Sequence, residues 1–271
     1  MKIEQWFSEN QNEDIKLSVR IKSHVFTKES KYQRIDIFDT DALGRILILD
    51  GCFMVTYKDE FMYQEMLAHP PLMAHRDPRS VLIIGGGDGG IAREVLKHDV
   101  EKVDLVEIDE DVIQAAREYL PEMSSSFSDK RLTIYNQDAF DFVDGKRKYD
   151  VILVDSTDPV GFAASLFSDV FYMKAKETLN RGGIISTQSG SPFMNPGYIT
   201  KAFKGMKQYF SELRPYVSFM PTYPSGMWSY VMASNSPLEM KSEFVGRYIN
   251  GDVFKGSQML PQFVRELLSK A

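Results

Sequence analysis

The chain has 271 residues, a formal net charge of −6, and 43% hydrophobic against 26% charged residues. That length buries a sizeable core in one large or two smaller domains without disulfides or metal staples. A single cysteine excludes a disulfide framework or a CxxC site, and the acidic balance argues against nucleic acid, whose phosphates need a basic footprint.

No apolar run approaches the roughly 20 residues that span a bilayer, so no membrane partner is expected. The polar start, residues 1–13, lacks the basic and apolar regions of a signal peptide. A soluble cytoplasmic protein is the expectation. An acidic cleft would concentrate a cationic small molecule, although simple solubility accounts for the charge equally well. The four histidines, His24, His69, His75 and His98, show no metal-ligand spacing, and no metal site is expected.

In chain order, residues 16–26, 33–39 and 45–50 alternate apolar and polar side chains and read as strands, the last two joined by a turn at 41–44. Cys52 lies in the strand-like run 46–56 and reads as a small buried residue. Residues 59–74 carry Phe61, Met62, Glu65, Met66 and Leu67 at helical spacing. From Ser80 the pattern becomes repeated strand–helix units: strands at 81–84, 103–107, 132–136, 151–154 and 183–188, helices at 91–98, 111–119 and 165–179. The tail ends in an amphipathic stretch, 260–268. Such alternation predicts an α/β fold with a parallel, doubly wound sheet. The expected division is a small N-terminal antiparallel β-domain at 1–65 and a Rossmann-like catalytic domain at 66–271.

The strongest local signal is Gly85-Gly86-Gly87-Asp88-Gly89-Gly90, a G-x-G-x-x-G pattern between a strand and a helix. Gly85 and Gly87 let the backbone turn sharply and approach a ligand. An acidic residue about 20 positions later should hold a ribose hydroxyl, and Glu107 ends the next strand there. An adenosine-type ligand follows, with NAD and S-adenosylmethionine derivatives both open. Asp138, after the third strand, is placed either to accept from an adenine amino group or to cap a helix. Asp155 and Asp158 follow the fourth strand, where a second substrate binds in open α/β sheets. Asp88 inside the glycine loop would repel the carboxylate of a methionine tail and attract the bare ammonium of a decarboxylated one, a specificity by charge.

Taken together, the segment from Asp59 to Met66 (DEFMYQEM), the glycine loop, VEID at 106–109, DSTDPVG at 155–161 and PTYPSG at 221–226 resemble the spermidine synthases, which are polyamine aminopropyltransferases. The resemblance runs from about Tyr32 to Val264. It implies a small N-terminal β-domain, a methyltransferase-type Rossmann domain and a homodimer or homotetramer. It also implies that Gln33, Asp88, Glu107, Asp138 and Ala139 contact the nucleoside. The amine site would draw on Tyr63, Gln64, Asp88, Asp155, Asp158, Tyr223 and Trp228. The implied reaction moves an aminopropyl group from decarboxylated S-adenosylmethionine, a co-substrate, to putrescine, with no further cofactor. Asp155 is assigned to orient the amine and accept its proton.

Two positions depart from the common pattern: Gln64 stands where many bacterial members carry His, and Phe162 where the family has a second proline. The latter bears on 159–167, expected to close over the ligands. Cadaverine or agmatine as acceptor would need only a change of pocket length. An S-adenosylmethionine-dependent methyltransferase shares the expected fold, but Asp88, Asp155 and Asp158 suit an ammonium tail and a cationic acceptor better. No His or Tyr–Lys arrangement specifies hydride chemistry, and no G-x-S-x-G points to a serine hydrolase.

Overall fold

The computed structural model describes residues 4–157 and 161–271. The N-terminal part is a five-stranded antiparallel meander of β1 (Gln5–Asn10), β2 (Lys16–Glu29), β3 (Arg34–Thr40), β4 (Gly44–Leu49) and β5 (Cys52–Thr56), in spatial order β1-β2-β3-β4-β5. Period-two alternation gives this sheet two faces. Ile35, Ile37, Leu47 and Leu49 point one way, into a cluster with Val112, Ala115, Ala116 and Leu120, while Ile46, Ile48 and Phe53 point the other way. Cys52 is exposed at the first position of β5, not buried as its apolar surroundings in sequence suggested.

A helix, α1 (Glu60–Ala74), connects this sheet to the second one. It is buried along nearly its whole length, with Met66, Leu67, Leu72 and Met73 fully enclosed. Pro70 and Pro71 lie inside it. Pro70 has no N–H to offer the Met66 carbonyl four residues earlier, and the Tyr216 hydroxyl donates to that carbonyl instead, at 3.0 Å.

The second part alternates β6 (Ser80–Gly85), α2 (Gly90–Val95), β7 (Lys102–Glu107), α3 (Glu110–Tyr119), a short α4 (Pro121–Ser124), β8 (Leu132–Asn136), α5 (Ala139–Phe142), β9 (Tyr149–Asp155), a 3₁₀ turn over Gly161–Phe167, α6 (Asp169–Thr178) and β10 (Leu179–Gln188). Then come α7 (Pro196–Lys207), β11 (Glu212–Phe219), β12 (Met227–Ser234), α8 (Gly251–Gly256) and α9 (Gln262–Ser269). Ser168 caps α6 through its hydroxyl, so the run expected to be helical from 165 begins as a 3₁₀ turn.

The seven strands lie in the order β11-β12-β10-β9-β6-β7-β8. Pairing is parallel from β10 through β8, whereas β12 runs antiparallel to both β10 and β11. The sheet is therefore mixed at one side rather than wholly parallel, and α7, β11 and β12 carried no pattern that singled them out. Val81, Ile83, Val151 and Leu153 on one face pack with α1 and α2, and Leu82, Ile84, Ile152 and Val154 on the other pack with α6 and α7. The chain leaves β6 toward β7 on one side, and β9 leads toward β10 on the other. The switch point, where α/β sheets open a binding crevice, lies between the carboxyl ends of β6 and β9, where Gly85 pairs with Asp155.

Candidate active site

Gly85 has φ +80°, and a Cβ on it would overlap the carbonyl oxygen of Asp155. The glycine is therefore what lets β6 and β9 run side by side to their ends. The loop then turns Asp88 inward. Its Oδ1 accepts from the Gly90 N–H at 2.6 Å and from Gln64 Nε2 at 3.3 Å. A Cβ on Gly90 would stand 2.5 Å from Gln64 Nε2, so this glycine makes the room in which Gln64 reaches Asp88. Gln64 is fully buried, and its Oε1 has no hydrogen-bond partner among the described residues.

One residue earlier on α1, the Tyr63 hydroxyl donates to Asp155 Oδ1 at 2.5 Å. Tyr63 packs between Tyr223, with ring centroids 5.5 Å apart, and Tyr230 on β12, at 5.8 Å. Trp228 meets Tyr223 edge-on at 4.6 Å, and its buried indole N–H has no acceptor among the described residues. The result is a carboxylate floor, Asp88 and Asp155, under an aromatic wall.

Among the described residues, three carboxyls lie at this crevice with protein packed closely around them. Asp155 is pushed up to about 8, first by burial and next by the charge of Asp88, with the Tyr63 hydrogen bond opposing. Glu107 is pushed up to about 7, chiefly by burial, against the backbone N–H of Asp109. Burial also raises Asp88, against the Gly90 N–H and the charge of Arg93. Arg93 itself is engaged by Glu60 at 2.6 Å and Glu94 at 3.0 Å. A crevice lined with carboxyls so raised favours a cationic ligand, because an incoming positive charge restores the ionised form.

At the end of β7, Glu107 Oε1 accepts the Asp109 N–H at 2.9 Å, and its side chain lies against Gly87. Gln33 arrives from the N-terminal sheet: its Nε2 donates to Asp109 Oδ2 at 2.9 Å, and Ser30 donates to the same oxygen at 2.7 Å. Asp138 caps α5 by accepting from the Phe140 N–H at 2.8 Å, and Ala139 is the buried first residue of that helix. The cap, one of two roles open to Asp138, is thus filled. Asp158 and the start of 159–167 lie outside the described residues, and so does the side chain of Phe162. Among the described residues, no group of three or more His, Cys, Asp or Glu is placed to hold a metal ion.

The fold thus brings Tyr63 to Asp155, Gln64 to Asp88, Gln33 and Gly87 to the Glu107 turn, Tyr223 to Tyr63, and Trp228 to Tyr223. Sequence reading did not single out Tyr230, which sits on a strand too uniformly apolar to show a period. It also passed over Asp109, although that residue lies within VEID.

A glycine loop, a switch-point crevice and a floor of carboxyls define an α/β fold of the nucleotide-binding type with an acidic site at its switch point. The comparisons make this specific. A model of the spermine/spermidine synthase domain matches residues 60–242, and one of the spermidine synthase tetramerisation domain matches residues 5–57. A polyamine aminopropyltransferase of Thermoplasma acidophilum is 43% identical over 272 residues, covering 98% of this chain and 99% of its own. One of Caldicellulosiruptor saccharolyticus is 42% identical over 274 residues, with the same coverage. Spermidine synthase from Thermotoga maritima superposes with a TM-score of 0.92 at 40% identity, over 100% of this chain and 96% of that one. A spermidine synthase solved with the transition state analogue AdoDATO gives 0.93 at 40% identity, over 98% and 96%. The chain belongs to the spermidine synthase family of polyamine aminopropyltransferases.

Proposed function

We propose that the protein transfers the aminopropyl group of decarboxylated S-adenosylmethionine to putrescine, giving spermidine and methylthioadenosine. The observation that carries this reading is the pairing of Tyr63 with Asp155 beside Asp88 at the switch point. A nucleoside seated between the glycine loop and Glu107 would put its sulfonium and ammonium tail over Asp88. The amine nitrogen then attacks the propyl carbon next to sulfur, the C–S bond breaks, and its electron pair stays on sulfur as the thioether of methylthioadenosine.

The attacking nitrogen must be a free amine, and an alkyl ammonium is a weak acid with a pKa near that of lysine, about 10.4. Asp155 takes the proton, and the Tyr63 hydrogen bond aims its carboxyl. With the cationic donor seated beside it, the Asp155 carboxyl is held ionised and so can accept that proton. Gln64 and Asp158 are assigned to the distal end of the diamine, with Tyr223 and Trp228 along its methylenes. Gln33, Gly85, Gly87, Glu107, Asp138 and Ala139 are assigned to the nucleoside, and no cofactor beyond the donor takes part. The N-terminal sheet is assigned to assembly as a homotetramer.

Incubating the protein with decarboxylated S-adenosylmethionine and a panel of amines, with products quantified by mass spectrometry, tests the reading. Spermidine formed fastest from putrescine is expected. Faster turnover of cadaverine or agmatine would move the acceptor assignment, and methylation by S-adenosylmethionine with no aminopropyl product would overturn the reaction.

A further inference from the structure

Asp59 occupies the N-cap position of α1, where an aspartate ordinarily accepts from the first N–H groups of its own helix. Its side chain makes no such bond. Asp59 is 2% exposed, and both of its oxygens are committed elsewhere. Oδ1 accepts from Thr56 Oγ1, at the end of β5, at 2.6 Å. Oδ2 accepts from the Thr222 N–H at 3.1 Å and from Thr222 Oγ1 at 2.7 Å. A buried carboxylate that gives up its helix cap for Thr56, three residues earlier, and for Thr222, 163 residues later, ties the end of β5 and the Thr222 segment to the start of α1.

Those segments converge on the amine wall. Thr222 precedes Tyr223, whose ring lies between Tyr63 and Trp228. The Tyr223 hydroxyl donates to the Met54 carbonyl, again on β5, at 2.6 Å. Tyr223 is thus held at its hydroxyl by β5, and the residue before it, Thr222, is held by Asp59, while Tyr63 follows Asp59 by one turn of α1.

We propose that Asp59 is a positioning residue for the amine acceptor: by tying Thr222 to the start of α1 it sets the spacing between the Tyr223 and Tyr63 walls of the pocket. It touches no substrate. The inference deepens the functional reading above and rests on it for the identity of the ligand, but the placement of Tyr223 by Asp59 stands on geometry alone.

Asp59→Asn removes one acceptor of the pair, and Thr222→Val removes a donor at constant shape, should the first variant fold poorly. Loss of a buried charge-assisted bond predicts an amine KM raised about ten-fold, with the nucleoside KM changed by less than about two-fold. Thr222→Ser keeps the hydroxyl and should behave as the wild type. A second readout needs no substrate. The chain has two tryptophans, Trp6 and Trp228, and Trp6 is 57% exposed. In a Trp6→Phe background, Trp228 emission should shift and its acrylamide quenching should increase in Asp59→Asn as Tyr223 leaves its face. Unchanged amine KM, parallel rises in both KM values, or unchanged Trp228 fluorescence would each overturn the proposal. A wild-type protein without aminopropyl transfer would instead sink the functional reading, and the fluorescence would still decide whether Asp59 holds Tyr223.

Discussion

Asp155 is the residue on which the proposed chemistry turns, and its environment makes two measurable demands. As the proposed proton acceptor it should be irreplaceable: Asp155→Asn is expected to lower kcat by roughly 10²–10⁴, with methylthioadenosine affinity in calorimetry nearly unchanged. An active Asp155→Asn enzyme would remove it from the role. The second demand follows from its protonation. A carboxyl at about 8 in the fold and 3.8 as an ordinary aspartate binds its proton more tightly when folded. Its contribution to stability is therefore complete below 3.8 and is lost as pH rises through about 8. Glu107, at about 7, acts in the same direction. A cationic ligand reverses both shifts, so binding of decarboxylated S-adenosylmethionine at pH 7 should release protons. Calorimetry in two buffers of different ionisation enthalpy measures this, and equal heats in both would contradict it. Gly85 sets the limit of tolerance here. A side chain would meet the Asp155 carbonyl at a φ that costs L-residues about 1–2 kcal/mol even in open space, so Gly85→Ala should abolish methylthioadenosine binding, read as loss of its thermal shift.

Helix α1 gathers the site. Within its first turns and its cap, Asp59 reaches Thr222, Glu60 reaches Arg93, Tyr63 reaches Asp155 and Gln64 reaches Asp88. Glu65 faces away from the crevice and accepts three consecutive backbone N–H groups, those of Arg247, Tyr248 and Ile249, at 2.8 to 2.9 Å. Each would otherwise lose a charge-assisted bond, and Glu65→Ala is expected to cost about 2–4 kcal/mol. Chemical denaturation measures the loss, and hydrogen exchange should quicken at those three amides first. The helical spacing of 59–74 was legible, and so was the glycine loop with Glu107, because both are local patterns of backbone conformation and period. What α1 touches was not legible, since its partners lie tens to nearly two hundred residues away in sequence. The strands β11 and β12 also escaped notice, because buried runs such as Met227–Ser234 show no alternation.

At the scale of the whole molecule, the N-terminal sheet does more than precede the catalytic part. Gln33 and Ser30 reach Asp109 beside the Glu107 turn, and Met54 and Thr56 reach Tyr223 and Asp59 beside Tyr63. The match of residues 5–57 to a model of the spermidine synthase tetramerisation domain supports the homotetramer proposed above, with this sheet as its interface. Light scattering should therefore return four times the chain mass, and the melting temperature should rise with protein concentration, as mass action requires. A monomer whose melting point ignores concentration would refute that assembly. The alternation of strands and helices, the glycine loop and the positions of the acidic residues at strand ends were readable from local order alone, because period and glycine placement are written along the chain. The tertiary structure alone decided that Tyr63 meets Asp155, that Gln64 meets Asp88, and that Asp59 forgoes its cap for Thr222. Those choices depend on which distant surfaces pack together, and burial then shifts the carboxyls in a way no local pattern encodes.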